Sequence, residues 1–256
     1  MQIYVCIKHV PDSAANITIL DKKSIDESIV FLLNPYDEHA VTEAAALKKQ
    51  FEGSEIIAVC LGKNNAEKTI RSAMAMGADR GILIETHEPH DSMTTARALK
   101  AAIEQDGTPG MILTGKESID VEGMQTMFRI GALFHLPVVT NAVDIKAAAD
   151  RAVVTCELAG GETRTYELSM PCVIATGRGL NSPSYPTFPD VVKARKKPLR
   201  IIDFNSLAIE TSKGTSRLVE LTPLSRERFP KEINGSPLEI AAKIVFILKE
   251  DAKVIS

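Results

Sequence analysis

The stretch Ile56–Glu85, with the sequence IIAVCLGKNNAEKTIRSAMAMGADRGILIE, contains the pattern that decides the fold of this chain. It begins with a short apolar run, Ile56–Leu61, and ends with a second one, Gly81–Glu85. The apolar residues between these runs recur at helical spacing, and Gly77 is expected to end the helix. Short strands that are apolar throughout and joined by a helix are typical of a parallel sheet covered on both faces.

The same alternation of strands and helices extends over the first 140 residues. Asn34-Pro35 predicts the start of a helix that runs to about Gln50, because Asn and Pro favour the first positions of helices. For the helix of the opening stretch, Asn64 or Asn65 is the expected cap. The remaining predicted elements of this region are strand Ile3–Ile7, helix Ser92–Glu104, strand Met111–Thr114 and helix Val121–Phe134.

The pattern changes after Pro137. Two alternating runs around Ala159-Gly160-Gly161 predict a β-hairpin, and one more buried strand follows at Cys172–Thr176. The predicted elements beyond it are an extended loop over Gly177–Pro189, an irregular stretch from Ile201 to about Pro237, and a final helix over Leu238–Lys249. We therefore predict an α/β domain over residues 1–200 and a C-terminal extension over residues 201–256 that packs either on a partner or across the domain.

Composition excludes several classes of protein. The 256 residues carry 30 basic and 33 acidic side chains, and this balance argues against a protein that binds nucleic acid through phosphate contacts. No apolar run approaches the roughly 18 residues of a membrane span. Met1–Lys8 is a short strand without a basic leader, so we expect a cytoplasmic protein without a membrane span.

The cysteines and a near-match to a phosphate-binding loop do not indicate catalysis. Cys6, Cys60, Cys156 and Cys172 form no CxxC pair and are expected to be small buried residues, although Cys60 precedes a loop and leaves a catalytic thiol open. Gly110–Glu117 resembles a P-loop, but a Glu follows the Lys where that motif needs a hydroxyl to hold magnesium. No set of residues with metal-ligand or Ser-His-Asp spacing occurs.

Several chain segments should meet at the carboxyl edge of the predicted sheet, where open parallel sheets bind their ligands. They are the loop after the first strand, Asn34–Asp37, Leu61-Gly62 and Ile119–Phe128. Helix N-termini at this edge offer N–H groups and the positive end of a dipole to a phosphate. A nucleotide site is one interpretation, and ordinary helix caps are the other.

A second unusual segment is Tyr185–Asp190, where Phe188 stands between two nearby prolines. Flanking prolines stiffen the chain, so the aromatic ring can be presented to a partner at low entropic cost. The basic residues Lys193, Arg195, Lys196 and Lys197 follow it and could steer an acidic partner. Alternatively, Phe188 folds back into the core and the basic run is a solvated helix face.

Several separate motifs, in order along nearly the whole chain, resemble the beta subunit of the electron transfer flavoprotein family. The segments that carry the resemblance are Asn34–Val41, Ala75–Ile82, Gly115–Asp120, Val154–Ala175, Leu180–Pro189 and Lys193–Pro198. The resemblance implies a doubly wound, mostly parallel α/β sheet that is Rossmann-like and adenine nucleotide alpha hydrolase-like, with a β-hairpin and a C-terminal extension.

The resemblance also implies a function. It points to an electron carrier rather than a stand-alone enzyme, in which an alpha subunit binds most of the redox FAD and this subunit buries AMP. The donor would be an acyl-CoA dehydrogenase-like flavoenzyme, and the acceptor a quinone oxidoreductase or another downstream protein. An alternative hypothesis is that the chain is a nucleotide-binding regulator with the same sheet.

Matched residue by residue, the resemblance assigns two sites. The implied nucleotide pocket consists of Cys6, Asn34, Pro35, Tyr36, Asp37, Leu61, Gly62, Asp120, Val121, Glu122, Gly123, Met124, Gln125, Thr126, Met127 and Phe128. A recognition loop over residues 180–198 is implied to bind the donor, through Tyr185, Pro186, Thr187, Phe188, Pro189, Lys193 and Arg195. The family commonly has Leu where this chain has Phe188.

One departure from the family concerns the content of the pocket. Members with AMP tend to have Gln-Thr-Gly, whereas electron-bifurcating members, which oxidise NADH, carry a second FAD and usually have Gln-Val-Gly-Pro. This chain reads Gln125-Thr126-Met127. The Gln-Thr pair favours AMP, while Met127 replaces the glycine of both types and restricts the approach of a phosphate to the backbone.

Overall fold

Helices cover both faces of a mainly parallel sheet in the computed structural model, which describes residues 1–211, 218–223, 230 and 232–255. The strands are β1 (Gln2–Ile7), β2 (His9–Pro11), β3 (Phe31–Leu33), β4 (Glu55–Gly62), β5 (Arg80–Glu85), β6 (Met111–Gly115), β7 (Val138–Ala147), β8 (Arg151–Glu157), β9 (Thr163–Ser169), β10 (Cys172–Thr176) and β11 (Leu199–Asp203). The helices are α1 (Pro35–Gln50), α2 (Glu67–Met76), α3 (Ser92–Asp106), α4 (Thr126–Phe134), α5 (Phe188–Ala194) and α6 (Pro237–Phe246).

The nine-stranded sheet has the order β11-β5-β4-β1-β6-β10-β7-β8-β9. The strands from β11 to β7 run parallel, and β8 and β9 add the predicted antiparallel hairpin at one edge. From β1 the chain moves first outward through β4 and β5, and then to β6 on the other side of β1. The strand order therefore reverses between β1 and β6, and sheets of this kind bind ligands beside such a reversal.

Two apolar clusters hold the layers together. Helices α1 and α2 pack on one face of the sheet through residues such as Leu47 and Ile70, and α3 and α4 pack on the other face through residues such as Leu99 and Ile130. All four of these side chains are at most 4% exposed. The predicted doubly wound α/β fold is confirmed.

Helix α4 is shorter than the pattern predicts. The expectation of a helix from Val121 is wrong, because α4 begins at Thr126 and the preceding residues are not helical. Glu122 and Met124 have positive φ values of 52° and 47° on either side of Gly123. Glycine has low helix propensity, and the left-handed residues beside it prevent a continuous helix.

Besides β2 and β3, which form a separate two-stranded sheet, three elements do not follow from the local pattern. Strand β7 contains Asn141 at φ 56°. Its register against β10 shifts between Val139 and Ala142, and its register against β8 shifts between Ala142 and Asp144, so its apolar residues do not alternate regularly. Helix α5 occupies the end of the predicted loop. Strand β11 forms where Ile201 was expected to open an irregular stretch, since it pairs with β5 and buries Ile202. Residues 212–217, 224–229 and 231 of that stretch lie outside the described part of the chain.

The chain divides into two compact units, residues 1–219 and 220–256. In the second unit, α6 begins with a capping box in which the Ser236 and Glu239 side chains each bond the other's backbone, and a π-helical turn, Ile247–Asp251, follows. The predicted final helix is thus confirmed, and its last turn is π-helical.

Among the described residues, no helix is both long enough and apolar enough to cross a membrane.

Candidate functional site

The buried carboxylate of Asp37 joins three segments at the carboxyl edge of the sheet. It stands in the first turn of α1 and accepts hydrogen bonds from the backbone N–H groups of Lys8 (2.7 Å) and Gly115 (2.9 Å). The side chain is 4% exposed, and this burial raises its pKa to about 7, while the two bonds act in the opposite direction. Asp37 therefore holds the start of α1 against the ends of β1 and β6.

Asn34 has a different role from the one that its position before a helix predicts. Its side chain does not cap α1, whose first N–H groups bond instead to the Asn34 backbone oxygen. The Asn34 side-chain amide donates to the Glu117 carbonyl (2.9 Å) and accepts from the N–H of Ile119 (3.2 Å). Asn34 is 1% exposed, so this buried amide fixes the chain after β6 against the start of α1.

The prediction of an Asn cap is also wrong for α2. Asn64 and Asn65 form a short 3-10 turn with Ala66, and Ala66 precedes the helix without any side-chain cap. The C-terminal part of the prediction is confirmed, since Gly77 follows α2 at φ 141°.

Lys8 draws the loop after β6 towards β1. Its ammonium group lies 2.7 Å from the Asp120 carboxylate and donates to the Ser118 hydroxyl at 3.3 Å. The structure therefore brings together Asn34, Asp37 and Asp120 from the predicted pocket, with Lys8 as an additional member.

The segment Val121–Gln125 forms the outer wall of this edge. All five of its residues are exposed, and Val121 and Met124 present large apolar side chains. Gln125 precedes α4, and its amide oxygen accepts from the Ser92 hydroxyl (3.1 Å) and from Arg129 (2.7 Å).

Two residues at the start of α4 point to different surroundings. Phe128 is exposed, whereas Met127 is 2% exposed and belongs to the apolar cluster under α3 and α4. Thr126, the first residue of α4, is half-buried. Met127 therefore lies in the core and does not share the open edge with Met124 and Phe128.

The remaining predicted pocket residues belong to strand ends. Leu61 and Gly62 end β4 and are half-buried. Cys6 is buried in β1, and burial is the main cause that raises its pKa to about 12. Cys60 has the same pKa for the same main reason, so its thiol is protonated at neutral pH and the open reading of a catalytic Cys60 is not supported.

A pair of cations that was not among the predicted pocket residues flanks Tyr36. The Lys116 ammonium and the Arg178 guanidinium lie 5.2 Å and 5.1 Å from the centroid of the Tyr36 ring. The buried Thr176 hydroxyl donates to the Tyr36 carbonyl at 3.0 Å and so fixes this residue. The signal in the sequence is a Gly followed by a cation, Gly115-Lys116 and Gly177-Arg178, at the ends of two neighbouring strands.

The edge presents cationic and apolar side chains, and groups of both kinds occur in nucleotide sites. Its lysine and arginine side chains suit phosphate oxygens, and the exposed Val121, Met124 and Phe128 suit a planar ring. A Cβ added at Gly123 would meet only the Val121 side chain, at 3.7 Å, so the backbone there is open to a ligand. Within the described residues, no group of His, Cys, Asp and Glu side chains could hold a metal ion.

The loop before α5 forms a second candidate surface. The Asn181 side chain bonds to His39 and Glu43, and the Ser184 N–H donates to the Thr42 hydroxyl, so the loop is attached to α1. Thr187 and Asp190 form a capping box at the start of α5. Tyr185 lies between these two attachments, and Phe188 is the first residue of α5.

Both aromatic residues of the loop are exposed. Tyr185 is 88% and Phe188 80% exposed, so the alternative in which Phe188 folds back into the core is wrong. The basic run divides into two parts. Lys193, Arg195 and Lys196 are exposed, whereas Lys197 donates to the carbonyls of Met74 (2.8 Å) and Ala78 (2.6 Å) at the end of α2.

Comparison with known proteins gives one family. The family described as "Electron transfer flavoprotein domain" matches residues 23–207. A protein named "Electron transfer flavoprotein subunit beta" from Dictyostelium discoideum is 33% identical over 256 residues, which cover 99% of both chains. A protein of the same name from Syntrophomonas wolfei is 32% identical, covering 99% of this chain and 98% of the relative. "Electron transfer flavoprotein subunit beta, mitochondrial" from Arabidopsis thaliana is 32% identical over the full length of both.

Proposed function

The chain belongs to the electron transfer flavoprotein beta-subunit family, and we propose that it pairs with an alpha subunit to carry electrons between other proteins. The observation that carries this proposal is the similarity over practically the whole length of proteins named for that subunit. The name of a beta subunit implies an alpha-subunit partner. Its proposed role in the heterodimer is to bind a nucleotide, to shield the flavin and to dock partner proteins.

The redox group of the heterodimer is FAD, held mainly by the alpha subunit, and FAD supplies the ability to accept and release electrons. This chain contributes a wall that excludes water from one side of that group.

A structural AMP binds at the carboxyl edge of the sheet in this subunit. The exposed Arg178, which forms no ion pair within the described part of the chain, favours its phosphate. Lys8 and Lys116 lie at the same edge, where they pair with Asp120 (2.7 Å) and Glu117 (3.3 Å). The fixed loop after β6 positions the exposed segment Val121–Gln125 around the nucleotide. Asn34 and Asp37 act through this loop and these strand ends, since both are buried. Supporting the choice of AMP, Gln125 and Thr126 match the pair found in AMP-containing members of the family.

One observation favours a second candidate function. Val121, Met124 and Phe128 expose apolar surface along the same edge, and such a surface suits a ring system larger than adenine. If the pocket holds a second FAD in place of AMP, the heterodimer is an electron-bifurcating flavoprotein that oxidises NADH.

The partners follow from the same proposal. An acyl-CoA dehydrogenase-like flavoenzyme docks on the exposed Phe188 and supplies the electrons, and a quinone oxidoreductase or another acceptor receives them. The extension over residues 201–256 packs on the alpha subunit, for which the exposed Leu238 and Phe246 of α6 provide apolar surface. We place the heterodimer in the cytoplasm.

The proposal is tested by identifying the nucleotides of the purified heterodimer. The complex is denatured, and the released nucleotides are separated and quantified. One FAD and one AMP per heterodimer is the expected result. Two FAD without AMP would overturn the AMP assignment in favour of the bifurcating function, and a chain that is stably folded and binds nucleotide without any partner would instead favour a nucleotide-binding regulator.

A further inference from the structure

A cleft of about 560 Å³ lies beside the exposed recognition loop, between α2 and α5. Its lining includes Lys68 and Arg71 of α2 and Pro186, Val191 and Arg195 from the loop and α5. A smaller cleft of about 270 Å³ shares Lys68 and Pro186 with it and continues along α2 towards Tyr185. Neither cleft is lined by residues of the nucleotide edge described above.

Specific bonds between α2 and the end of α5 fix the walls of the larger cleft. The Arg71 guanidinium donates to the carbonyls of Ala194 (3.0 Å) and Lys197 (2.7 Å), while the Lys197 ammonium donates back to the end of α2. Hydrogen bonds from charged donors are stronger than neutral ones, so these contacts hold α5 against α2. The cleft is therefore built before any partner arrives.

The larger cleft carries a surplus of positive charge. Of its charged groups, Arg71 is 3.1 Å from Glu67, so these two neutralise each other. Lys68 and Arg195 are exposed, and neither is in an ion pair within the described part of the chain. Lys193 and Lys196 add two exposed cations next to Arg195. A surface of this kind attracts acidic groups over a distance of about 10 Å in dilute salt.

We propose that this cleft receives an acidic segment of the electron-donor protein, at the same time as Phe188 inserts into that protein. The cleft shares the loop residue Pro186 with the surface that presents Tyr185 and Phe188, so one docked partner covers both. Phe188 provides the buried anchor, and Lys68 and Arg195 set the orientation and the rate of association. The inference rests on the proposed function, because it needs a protein donor.

Charge reversal in the cleft tests the inference in the intact heterodimer. The variants are Lys68→Glu, Arg195→Glu and, as a matched control, Lys49→Glu, since Lys49 is exposed on α1 and lines neither cleft. Electron transfer is measured with a purified acyl-CoA dehydrogenase that reduces the wild-type heterodimer, across a series of salt concentrations. Binding of a fluorescent poly-L-glutamate peptide provides a second measurement that does not depend on electron transfer.

We expect each cleft variant to raise the KM for the heterodimer about tenfold at low ionic strength, with kcat and the flavin spectrum unchanged. The difference should shrink as salt screens the charges. The control should stay within twofold of the wild type, and poly-L-glutamate should bind the wild type and the control more tightly than the cleft variants.

The result that overturns the inference is a KM for Lys68→Glu and Arg195→Glu equal to that of Lys49→Glu while Phe188→Ala weakens transfer. In that case the proposed function stands and the acidic segment does not bind in the cleft. If Phe188→Ala also has no effect, the docking of a donor on this loop is itself refuted. Should charge reversal prevent assembly, the neutral variants Lys68→Met and Arg195→Gln test the same point, with an expected smaller rise in KM.

Discussion

The carboxylate of Asp37 accepts a 2.9 Å hydrogen bond from the backbone N–H of Gly115, a residue 78 positions away in the sequence. Through this bond the first turn of α1 lies directly on the end of β6. Tyr36 and Asp37 approach the strand so closely that no side chain fits at position 115. The geometry of the proposed nucleotide edge therefore depends on Gly115, which is the last residue of β6 and not part of the loops at that edge.

Gly115→Ala should destabilise the chain by about 1 to 3 kcal/mol, because the added methyl group overpacks a rigid junction. Its Cβ would lie 2.6 Å from the Cβ of Tyr36 and 2.9 Å from the Tyr36 carbonyl carbon. The measurement is the midpoint of urea unfolding. Gly123→Ala is the matched control and should stay within about 0.5 kcal/mol, since its new methyl group meets nothing closer than 3.7 Å. Equal stability of the two variants would refute the close contact.

The raised pKa of Asp37 predicts a particular dependence of stability on pH. The pKa is about 7 in the folded chain against 3.8 for a free aspartate, so the folded state holds more protons between about pH 4 and pH 7. Stability from this group is therefore greatest at acidic pH and is lost as pH rises through that window. Asp37→Asn stays neutral and lacks this loss.

We expect the free energy of unfolding of Asp37→Asn minus that of the wild type to be higher at pH 8 than at pH 5 by roughly 2 to 3 kcal/mol. Urea unfolding at several pH values measures it. Asp150→Asn, at an exposed position, controls for the loss of one negative charge. A constant difference between Asp37→Asn and wild type at all pH values would show that Asp37 is charged throughout.

Two methionines only three positions apart should respond in opposite ways. Met127→Ala should lower the free energy of unfolding by about 2 to 5 kcal/mol, because it leaves a cavity under α4, and the remaining folded complex should keep its nucleotide. Met124→Ala should change stability little and reduce nucleotide retention, because Met124 is exposed at the edge. Urea unfolding and the nucleotide content per heterodimer separate the two effects. Loss of nucleotide from Met127→Ala alone would place the pocket differently.

Phe188→Ala should raise the KM for an acyl-CoA dehydrogenase roughly 30-fold, which corresponds to about 2 kcal/mol for removing a buried aromatic anchor. The flavin spectrum should stay normal, because the side chain is exposed and supports nothing in this chain. Leu20→Ala is the control, since Leu20 is an exposed apolar residue that lies outside both the recognition loop and the C-terminal extension. An unchanged KM for the Phe188 variant would contradict the anchor role.

Local sequence was sufficient for the elements whose signals are local. The short apolar strands β1, β4, β5 and β6 are buried on both faces, and such short, continuous apolar runs are typical of strands in a covered parallel sheet. The hairpin of β8 and β9 followed from alternation around a glycine pair, and the end of α2 followed from Gly77. These features predicted the doubly wound sheet and the edge at which its helices begin.

Other elements could not be found locally because their cause lies elsewhere in the chain. Strand β7 has irregular alternation where Asn141 interrupts it, and β11 forms because it can pair with β5. Helix α4 begins five residues later than predicted, because the left-handed backbone at Glu122 and Met124 cannot be recognised from residue type alone.

The composition and motifs of the sequence by themselves determined the fold class, the family and the segments that form the two candidate surfaces. Only the tertiary structure decided which side chains of those segments face outward. Met127 lies in the core, whereas Met124 is exposed at the edge. Asn34 and Asp37 are buried and hold neighbouring segments together by hydrogen bonds. Phe188 is exposed beside a cationic cleft. The physical reason is that strand and helix patterns are local, whereas burial and hydrogen bonding depend on residues that are distant in the sequence and meet only when the sheet has formed.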